Sequence, residues 1–248
     1  MTKVEFLAKS EQAFAENGLS AFATAEFGER FYALTSFLLE QNRKMNLTAI
    51  RDEASFLTRH IADCLFATEF FPEGAKVLDV GSGGGMPTLP LAIARPDLSI
   101  TALDATAKKT AAIAETAAAL SLSNVTTLTG RAEELGQMSA YREQYDVVCA
   151  RAVAELRVLA EWCAPFAKKG GLFLAMKGKN ALAERDAAKN AAKVLSLSLL
   201  SENKRVLLER DEDGAKTENE RYLLLFRKTA PTPKLYPRRN AAIQKSPL

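Results

Sequence analysis

The sequence predicts an α/β fold in which a doubly wound, seven-stranded and mostly parallel sheet carries an N-terminal helical cap. From residue 76 onward short apolar runs alternate with helical segments, whereas the first 72 residues show helical periodicity only. Strands that alternate with helices form parallel sheets through right-handed crossovers. We expect a helical cap at 1–72, a ligand-binding domain at 73–229 and a basic C-terminal tail at 230–248.

The predicted elements follow one another with short connections. In the cap, phenylalanine and leucine recur every three to five residues from Phe14 to Leu38, and a further helix is predicted from about 53 to 70. Five strands are predicted at 76–80, 98–103, 124–128, 145–150 and 171–176, the first of them a buried parallel strand, with helices at 87–95, 108–120, 153–166 and 181–194. The runs 197–208 and 221–227, joined by the polar residues 211–214, predict an antiparallel hairpin. The proline-rich tail from Ala230 is expected to be extended rather than packed.

Composition restricts the classes of function. Hydrophobic residues make up 48% and charged residues 25% of the chain, and neither a signal peptide nor a membrane-spanning apolar run is evident. Three scattered cysteines (Cys64, Cys149 and Cys163) and a single histidine, His60, are too few for a disulfide framework or a metal centre. We therefore expect a cytoplasmic protein that holds no metal and does not enter a membrane.

The basic residues are clustered although the net charge is only +3. One cluster comprises Lys168, Lys169, Lys177 and Lys179, and the other comprises the tail residues Lys234, Arg238, Arg239 and Lys245. Such clusters suit nucleic-acid phosphates, because each neutralised phosphate releases counterions. A solvated lysine face and a disordered tail are the alternative, and charge alone favours that alternative.

A glycine-rich loop follows the first predicted strand. The segment 79–85 reads Asp-Val-Gly-Ser-Gly-Gly-Gly, at the position where open α/β sheets bind their ligands. A dinucleotide fingerprint would need glycine at position 86 or 88, which are Met86 and Thr88. The remaining D-x-G-x-G-x-G pattern is similar to the first motif of class I, Rossmann-like methyltransferases, which makes Gly81 and Gly83 candidate contacts of S-adenosyl-L-methionine. A structural turn that binds no ligand is the alternative.

Carboxylates follow the next two strands. Asp104 ends the second strand, where a carboxylate can accept hydrogen bonds from both ribose hydroxyls of the cofactor. Its alternative role is to cap the helix that begins near Lys108. Ala132 and Glu133 follow the third strand, in the loop expected to lie against adenine; a solvent-facing Glu133 is equally compatible with its position.

The fourth strand is expected to end at the methyl acceptor. It carries no Asn-Pro-Pro-Tyr segment of the kind that holds an exocyclic amine, and mid-strand Cys149 is expected to pack in the core rather than act as a nucleophile. An acceptor that is already nucleophilic, such as guanine N7, is compatible with this site, because its transfer needs positioning rather than a general base. Arg151 could bind the acceptor purine, bind the cofactor's carboxylate or form a structural ion pair.

Several segments together match one known family. They are Asn46-Leu47-Thr48, Arg59-His60-Ile61-Ala62-Asp63, GSGGGMP at 81–87, RAEE at 131–134, ARA at 150–152 and the terminal YPR…KSPL. In this order and spacing they resemble the 16S rRNA guanine-N7 methyltransferases of the RsmG (glucose-inhibited division protein B) family, from about residue 40 to the C-terminus.

The resemblance implies a bacterial cytoplasmic enzyme that transfers a methyl group from S-adenosyl-L-methionine to N7 of one guanosine in the 530 loop of 16S rRNA. Its partner would be the small ribosomal subunit or an assembly intermediate, and we expect a monomer. The resemblance implies cofactor contacts at Gly81, Met86, Ala132, Glu133 and Arg151. Arg151 and His60 are the candidate catalytic residues, for positioning rather than proton transfer, since N7 carries no proton to remove.

The sequence departs from the family pattern at a few positions. The family usually has leucine and glycine where this chain has Met86 and Thr88. Methionine for leucine conserves volume, whereas Thr88 is expected to narrow the exit of the glycine loop and to affect cofactor affinity. A lone surface histidine would ordinarily be uninformative, but the match predicts that the helix of Arg59, His60 and Asp63 faces the cleft. Two alternatives remain: a methyltransferase of another RNA or a small molecule, and an RNA-binding relative without catalysis.

Overall fold

The computed structural model describes residues 1–211 and 213–248 and contains one seven-stranded sheet in the order β3-β2-β1-β4-β5-β7-β6. The strands are β1 (Lys76–Val80), β2 (Ser99–Asp104), β3 (Val125–Thr129), β4 (Tyr145–Arg151), β5 (Ala167–Lys177), β6 (Leu197–Arg210) and β7 (Lys216–Lys228). Strands β1 to β5 are parallel, while β7 pairs antiparallel with β5 and β6 pairs antiparallel with β7. The predicted fold class is confirmed.

Helices precede the sheet and alternate with its parallel strands. They are α1 (Lys3–Glu16), α2 (Ala25–Met45), α3 (Glu53–Phe56), α4 (Asp63–Leu65), α5 (Thr88–Ala94), α6 (Ala107–Ala119), α7 (Ala132–Leu135), α8 (Leu156–Cys163), α9 (Ala181–Ala187), α10 (Lys189–Val194) and α11 (Asn240–Lys245). A π-helical turn, Leu57–Ala62, joins α3 to α4. No helix in the described part of the chain is long and apolar enough to cross a lipid bilayer.

Strand β1 is buried on both faces, as its short apolar run predicts. On one face Val77 belongs to the same apolar cluster as the cap residues Phe14 and Phe31, and on the other face Leu78 belongs to a second apolar cluster with Phe166. The cap therefore shares a core with the sheet. Because the strand order reverses between β1 and β4, their carboxyl ends open a crevice of the kind in which doubly wound sheets bind ligands.

Some predicted boundaries differ from the observed ones. The helix predicted at 153–166 begins only at Leu156, because Ala152 has a left-handed φ of +56° that turns the chain at the end of β4. The helix predicted at 181–194 is interrupted at Ala188 between α9 and α10. The hairpin of β6 and β7 is confirmed by their pairing up to Arg210 and Lys216; within its connection, Glu212 lies outside the described residues.

The expectation of an extended, unpacked tail is wrong. Residues 240–245 form α11, and Ile243 is fully buried. The physical reason is Glu161 of α8, whose side chain is 0% exposed and needs a compensating charge. The tail supplies it: Arg238 donates to Glu161 from Nε at 2.8 Å, from Nη2 at 2.6 Å and from its backbone N–H at 2.8 Å.

Candidate active site

A cavity of 370 Å³ lies between the cap and the carboxyl ends of β1, β2 and β4. The cap contributes Leu38, Leu47, Thr48, Phe56 and His60; the glycine loop contributes residues 81–84 and Met86; the ends of β2 and β4 and the residues after them contribute Asp104, Lys109, Arg151, Ala152 and Val153. The structure thus brings together six of the predicted site residues, namely His60, Gly81, Gly83, Met86, Asp104 and Arg151.

The glycine loop adopts a backbone that side chains resist. Gly81, Gly83 and Gly85 have φ values of +76°, +57° and +91°. A Cβ at Gly81 would lie 2.8 Å from Val153, and one at Gly85 would collide with Leu89. A Cβ at Gly83 would meet no atom nearer than 3.8 Å, so a side chain there would project into the space that a ligand needs. The loop therefore makes a tight turn at Gly81 and Gly85 and leaves room for a ligand against its backbone at Gly83.

Asp104 links this loop to the second strand. Its Oδ2 accepts a hydrogen bond from the Gly83 N–H at 3.0 Å, and its Oδ1 accepts one from the Thr106 N–H at 2.9 Å. The N-cap position of α6 is Thr106, so the alternative role of Asp104 as that N-cap is wrong. Although only 8% exposed, Asp104 lines the cavity, where its oxygens retain lone pairs for a ligand.

Thr88 lies away from the cavity, which corrects the expectation that it narrows the loop exit. Its side chain is fully buried, and its hydroxyl donates to Oδ2 of Asp79 at 2.7 Å. Burial raises the pKa of Asp79 to about 6, while the hydrogen bond from Thr88 opposes that rise. Thr88 therefore satisfies one oxygen of the buried Asp79 carboxyl group.

Arg151 is held by several acceptors at once. Its Nε donates to Oδ2 of Asp63 at 3.0 Å, and its Nη2 donates to the Arg59 carbonyl at 2.8 Å. Nη1 lies 3.4 Å from Sγ of Cys64. Asp63 also accepts from Arg221 of β7 at 2.9 Å, so this cluster of two cations and one anion retains a net positive charge. Of the three roles considered for Arg151, the ion pair is present, and the side chain still lines the cavity.

His60 faces the cavity, as predicted, and its tautomer follows from its neighbours. Nη2 of Arg151 lies 3.3 Å from Nδ1, and because a guanidinium only donates, Nδ1 is the acceptor. Nε2 therefore carries the proton and donates to Oγ1 of Thr48 at 2.7 Å. Burial, together with the charge of Arg151, lowers the pKa of His60 to about 4, so the ring is neutral at neutral pH.

The π-helical turn separates the side chains that were expected to act together. His60 lies in the cavity, but the Arg59 side chain turns to β6 and donates to Glu209 at 2.5 Å, outside the lining. The expectation that Arg59 faces the cleft is wrong, because the buried Glu209 attracts its charge. Turns of this type are rare and frequently occur at functional sites.

Other predicted positions lie outside the main cavity. Ala132 and Glu133 begin the short helix α7 and do not line the cavity, so their contact with the cofactor stays a prediction. Cys149 is buried in the core, as expected, and burial raises the pKa of its thiol well above the usual value. In the lysine cluster, Lys168 and Lys177 form ion pairs with Asp146 and Glu184.

A second cavity of 260 Å³ adjoins the first. The two share Arg151 and Ala152, and the second is also lined by Lys177, Arg221 and Tyr222. Among the described residues no group of three or more histidine, cysteine, aspartate or glutamate side chains could hold a metal ion. The two cavities meet beside the end of β4.

Sequence reasoning missed three features of the site. Phe56 was not singled out, although it packs edge-on against His60 with ring centroids 4.9 Å apart. Arg221 could not be found from sequence, since its partner Asp63 lies far away in the chain. Thr48 stood within a matched segment without a role, and only the structure shows its contact with His60.

The sequence is similar to those of one family of known proteins. The family model described as rRNA small subunit methyltransferase G matches residues 28–210. Proteins named ribosomal RNA small subunit methyltransferase G include one from Brevibacillus brevis, 38% identical over 100% of both chains. Another, from Halalkalibacterium halodurans, is 41% identical over 85% of this chain and 87% of its own.

Solved structures share the fold at low identity. TYW2 of M. jannaschii, in complex with AdoMet, has a TM-score of 0.53 at 16% identity and covers 73% of this chain and 79% of its own. An O-methyltransferase from Bacillus cereus, in complex with SAH, has a TM-score of 0.52 at 16% identity, over 79% of this chain and 91% of its own. At such identities the likeness concerns the fold alone.

Proposed function

The chain belongs to the rRNA small subunit methyltransferase G family, and from this premise we propose that it transfers a methyl group from S-adenosyl-L-methionine to N7 of a guanosine in the 530 loop of 16S rRNA. The observation that carries the proposal is the cavity that joins the glycine loop, Asp104 and the end of β4. The family resemblance of the sequence supports the choice of acceptor atom.

The residues of the cavity fit the cofactor. The open space at Gly83 accommodates a ligand against the loop backbone, and Asp104 offers carboxylate oxygens for ribose hydroxyls. We assign cofactor contacts to Gly81, Gly83, Met86, Asp104 and Arg151, and to Ala132 and Glu133 on the family pattern. Bound S-adenosyl-L-methionine supplies an electrophilic methyl group, and the protein's contribution is to orient it toward the acceptor.

Guanine N7 suits this site because it needs no base. The N7 lone pair can take up a methyl group without loss of a proton, so catalysis depends on positioning and electrostatics. His60, the only histidine, is neutral and has both ring nitrogens engaged by Arg151 and Thr48. It is therefore a positioning residue rather than a proton carrier, which is compatible with an acceptor that releases no proton.

The second cavity and the basic surface supply a place for the RNA. A base that leaves its stack could enter beside Arg151 and Ala152, next to the methyl donor. Exposed Lys169 and Lys179, with the exposed tail residues Lys234, Arg239 and Lys245, are available for phosphates. We propose that a monomer acts in the cytoplasm on the small ribosomal subunit or its assembly intermediate.

One experiment tests the acceptor directly. 16S rRNA from cells with and without the protein is digested, and its nucleosides are quantified. The expected result is the loss of a single 7-methylguanosine from the 530 loop in cells that lack the protein, with restoration by the wild-type chain. An unchanged 7-methylguanosine content would contradict the proposal and favour a different acceptor or an inactive RNA-binding relative.

Cofactor binding is tested separately by calorimetry. Asp104→Ala is expected to weaken S-adenosyl-L-methionine binding by about 1.5–3 kcal/mol for each ribose hydrogen bond lost. Asp97→Ala is the matched control, because Asp97 pairs with Arg95 on the surface, outside the cavity. Equal affinity of Asp104→Ala and wild type would contradict the assignment of Asp104.

A further inference from the structure

The hydroxyl group of Thr48 lies in the wall of the main cavity, on the side of the cap. Its Oγ1 accepts a hydrogen bond from the backbone N–H of Ile50 at 3.1 Å. The loop that carries it is fixed by Asn42, which accepts from the Thr48 N–H at 2.9 Å and donates to the Thr48 carbonyl at 2.9 Å. The position of this hydroxyl is therefore set by the loop before any ligand binds.

The hydrogen bond between Thr48 Oγ1 and His60 determines where the hydroxyl hydrogen of Thr48 can point. Because Arg151 can only donate to Nδ1 of His60, Nε2 of His60 donates to Oγ1 of Thr48. The hydroxyl oxygen then accepts two hydrogen bonds, which uses both lone pairs. The described residues accept no hydrogen bond from the remaining Thr48 O–H. That hydrogen is left as a donor for a ligand in the cavity.

The position of Thr48 favours one end of the cofactor. The sheet order β2-β1-β4 places Asp104 and Arg151 on opposite sides of β1, and Thr48 is linked through His60 to the Arg151 side. A ribose held at Asp104 leaves the methionine part to extend over the glycine loop toward Arg151. The neighbouring Leu47 carbonyl packs against that loop, since a Cβ at Gly84 would lie 3.2 Å from it.

Charge at this end points to an anion. Arg151 and Arg221 share one carboxylate, Asp63, and His60 is neutral. A carboxylate group is therefore favoured over a neutral base in contact with this side of the cavity, and charge-assisted hydrogen bonds are the stronger ones.

We propose that the Thr48 hydroxyl donates a hydrogen bond to the methionine carboxylate of S-adenosyl-L-methionine, with His60 and Arg151 as positioning residues that direct it. This inference rests on the proposed function, since it requires that cofactor. It assigns the Asn46-Leu47-Thr48 segment a direct part in cofactor binding and gives the neutral His60 ring a defined task.

The test compares two ligands by calorimetry, S-adenosyl-L-methionine and its decarboxylated analogue, which lacks only the carboxylate. Wild type is expected to prefer the complete cofactor. Thr48→Val should reduce affinity for the complete cofactor about tenfold or more, with little change for the analogue. Thr48→Ser keeps the hydroxyl and should retain wild-type values. Thr48→Ala replaces the valine variant if valine prevents folding.

Each contrary outcome has a distinct meaning. Equal weakening of both ligands would show that Thr48 acts only through the fold, and would overturn the inference. If Thr48→Val keeps its cofactor affinity but transfers the methyl group more slowly in a single turnover, the hydroxyl contacts the acceptor base instead of the cofactor. That result would also overturn the inference. A wild-type protein that binds neither ligand would contradict the cofactor assignment itself, so failure of the proposed function is recognised separately.

Discussion

Asp63 and Arg151 form a partly shielded ion pair, with Oδ2 of Asp63 3.0 Å from Nε of Arg151. The pair joins the first residue of α4, directly after the π-helical turn, to the last residue of β4, two segments that meet only through the tertiary fold. Because the same guanidinium also donates to the Arg59 carbonyl and to His60, its planar fork links the cap to the end of β4 at several points.

Replacement of Arg151 should therefore act first on stability. Arg151→Met removes one of the two cations of Asp63, which keeps Arg221, and leaves the Arg59 carbonyl without this donor, so we expect the free energy of unfolding to fall by about 1–3 kcal/mol. Arg151→Lys keeps the charge but cannot satisfy all the acceptors, so its loss should be intermediate. Chemical denaturation measures both.

Arg157→Met is the control for this change. Arg157 pairs with Glu155 on the surface at 3.1 Å, and its loss should alter the free energy of unfolding by less than about 1 kcal/mol. If Arg151→Lys retains full stability, the structural account of the ion pair fails. In such a stable variant, a raised dissociation constant for the cofactor would indicate direct contact with it, and slower transfer at saturating cofactor would indicate contact with the acceptor.

His60 should make stability depend on pH in the acid range. Its pKa is about 4 in the folded protein and 6.5 ordinarily, because burial and Arg151 disfavour the charged ring. Above pH 6.5 the ring is neutral in both states and contributes no pH dependence. Between pH 6.5 and 4 the unfolded chain binds a proton that the folded protein excludes, so stability falls as pH falls.

The measurement is a comparison with His60→Gln, which can still donate to Thr48 but does not titrate. We expect the stability of wild type relative to this variant to decrease between pH 7 and pH 5, as determined by denaturant unfolding. A difference that stays constant over this interval would show that His60 titrates alike in both states.

Thr88 should affect stability rather than cofactor affinity. Thr88→Val removes the hydroxyl that donates to Oδ2 of Asp79, whose Oδ1 already has no hydrogen-bond partner among the described residues. Leaving a buried carboxyl group less satisfied should lower the free energy of unfolding by about 1–3 kcal/mol. Cofactor affinity should not change, since Thr88 does not line the cavity.

The pH dependence of the Thr88 variant has a defined sign. Burial raises the folded pKa of Asp79 from 3.8 to about 6, so the folded protein loses stability as pH rises through this window. Thr88→Val raises that pKa further and should extend the loss of stability to higher pH, whereas Thr88→Ser keeps the hydroxyl and should behave as wild type. Weaker cofactor binding by a stable Thr88→Val variant would restore the view that this residue narrows the loop exit.

Strand β1 was predictable because a parallel strand buried on both faces is a short apolar run, whereas β3 is only partly buried and was predicted from the alternation of strands with helices. Strand β1 has the predicted bounds and β2, β3 and β4 differ from theirs by at most one residue at each end, whereas β5 and β7 begin four and five residues earlier than predicted. The candidate site was predictable for a related reason: residues at the carboxyl ends of adjacent parallel strands must converge. Gly81, Asp104 and Arg151 each follow or end such a strand, and the cavity contains all three.

The remaining features depend on contacts that no local pattern encodes. The bond of Arg221 to Asp63 joins residues that are distant in sequence, and the left-handed φ of Ala152 is imposed on a residue with no intrinsic preference for it. The role of Thr48 follows from which nitrogen of His60 carries the proton, and that depends on Arg151. The family resemblance brought Thr48 and Ala152 into the matched segments, but it did not include Arg221.

The packed tail gives the sharpest test of the structure against the sequence. Sequence alone treats Arg238 and Arg239 as equivalent basic residues, but only Arg238 reaches Glu161, which is fully buried. Arg238→Gln should leave an uncompensated buried carboxylate and lower the free energy of unfolding by about 3–5 kcal/mol. Arg239→Gln, the neighbouring control, should leave stability unchanged and reduce only RNA affinity and the slope of its salt dependence.

Because Arg238 lies in the tail, truncation after Ala230 should destabilise the whole protein as well as weaken RNA binding. Thermal unfolding and RNA titrations at several salt concentrations separate the two effects. Equal stability of the two arginine variants would mean that the tail does not hold Glu161 in solution, and would return Arg238 to the set of phosphate-binding residues.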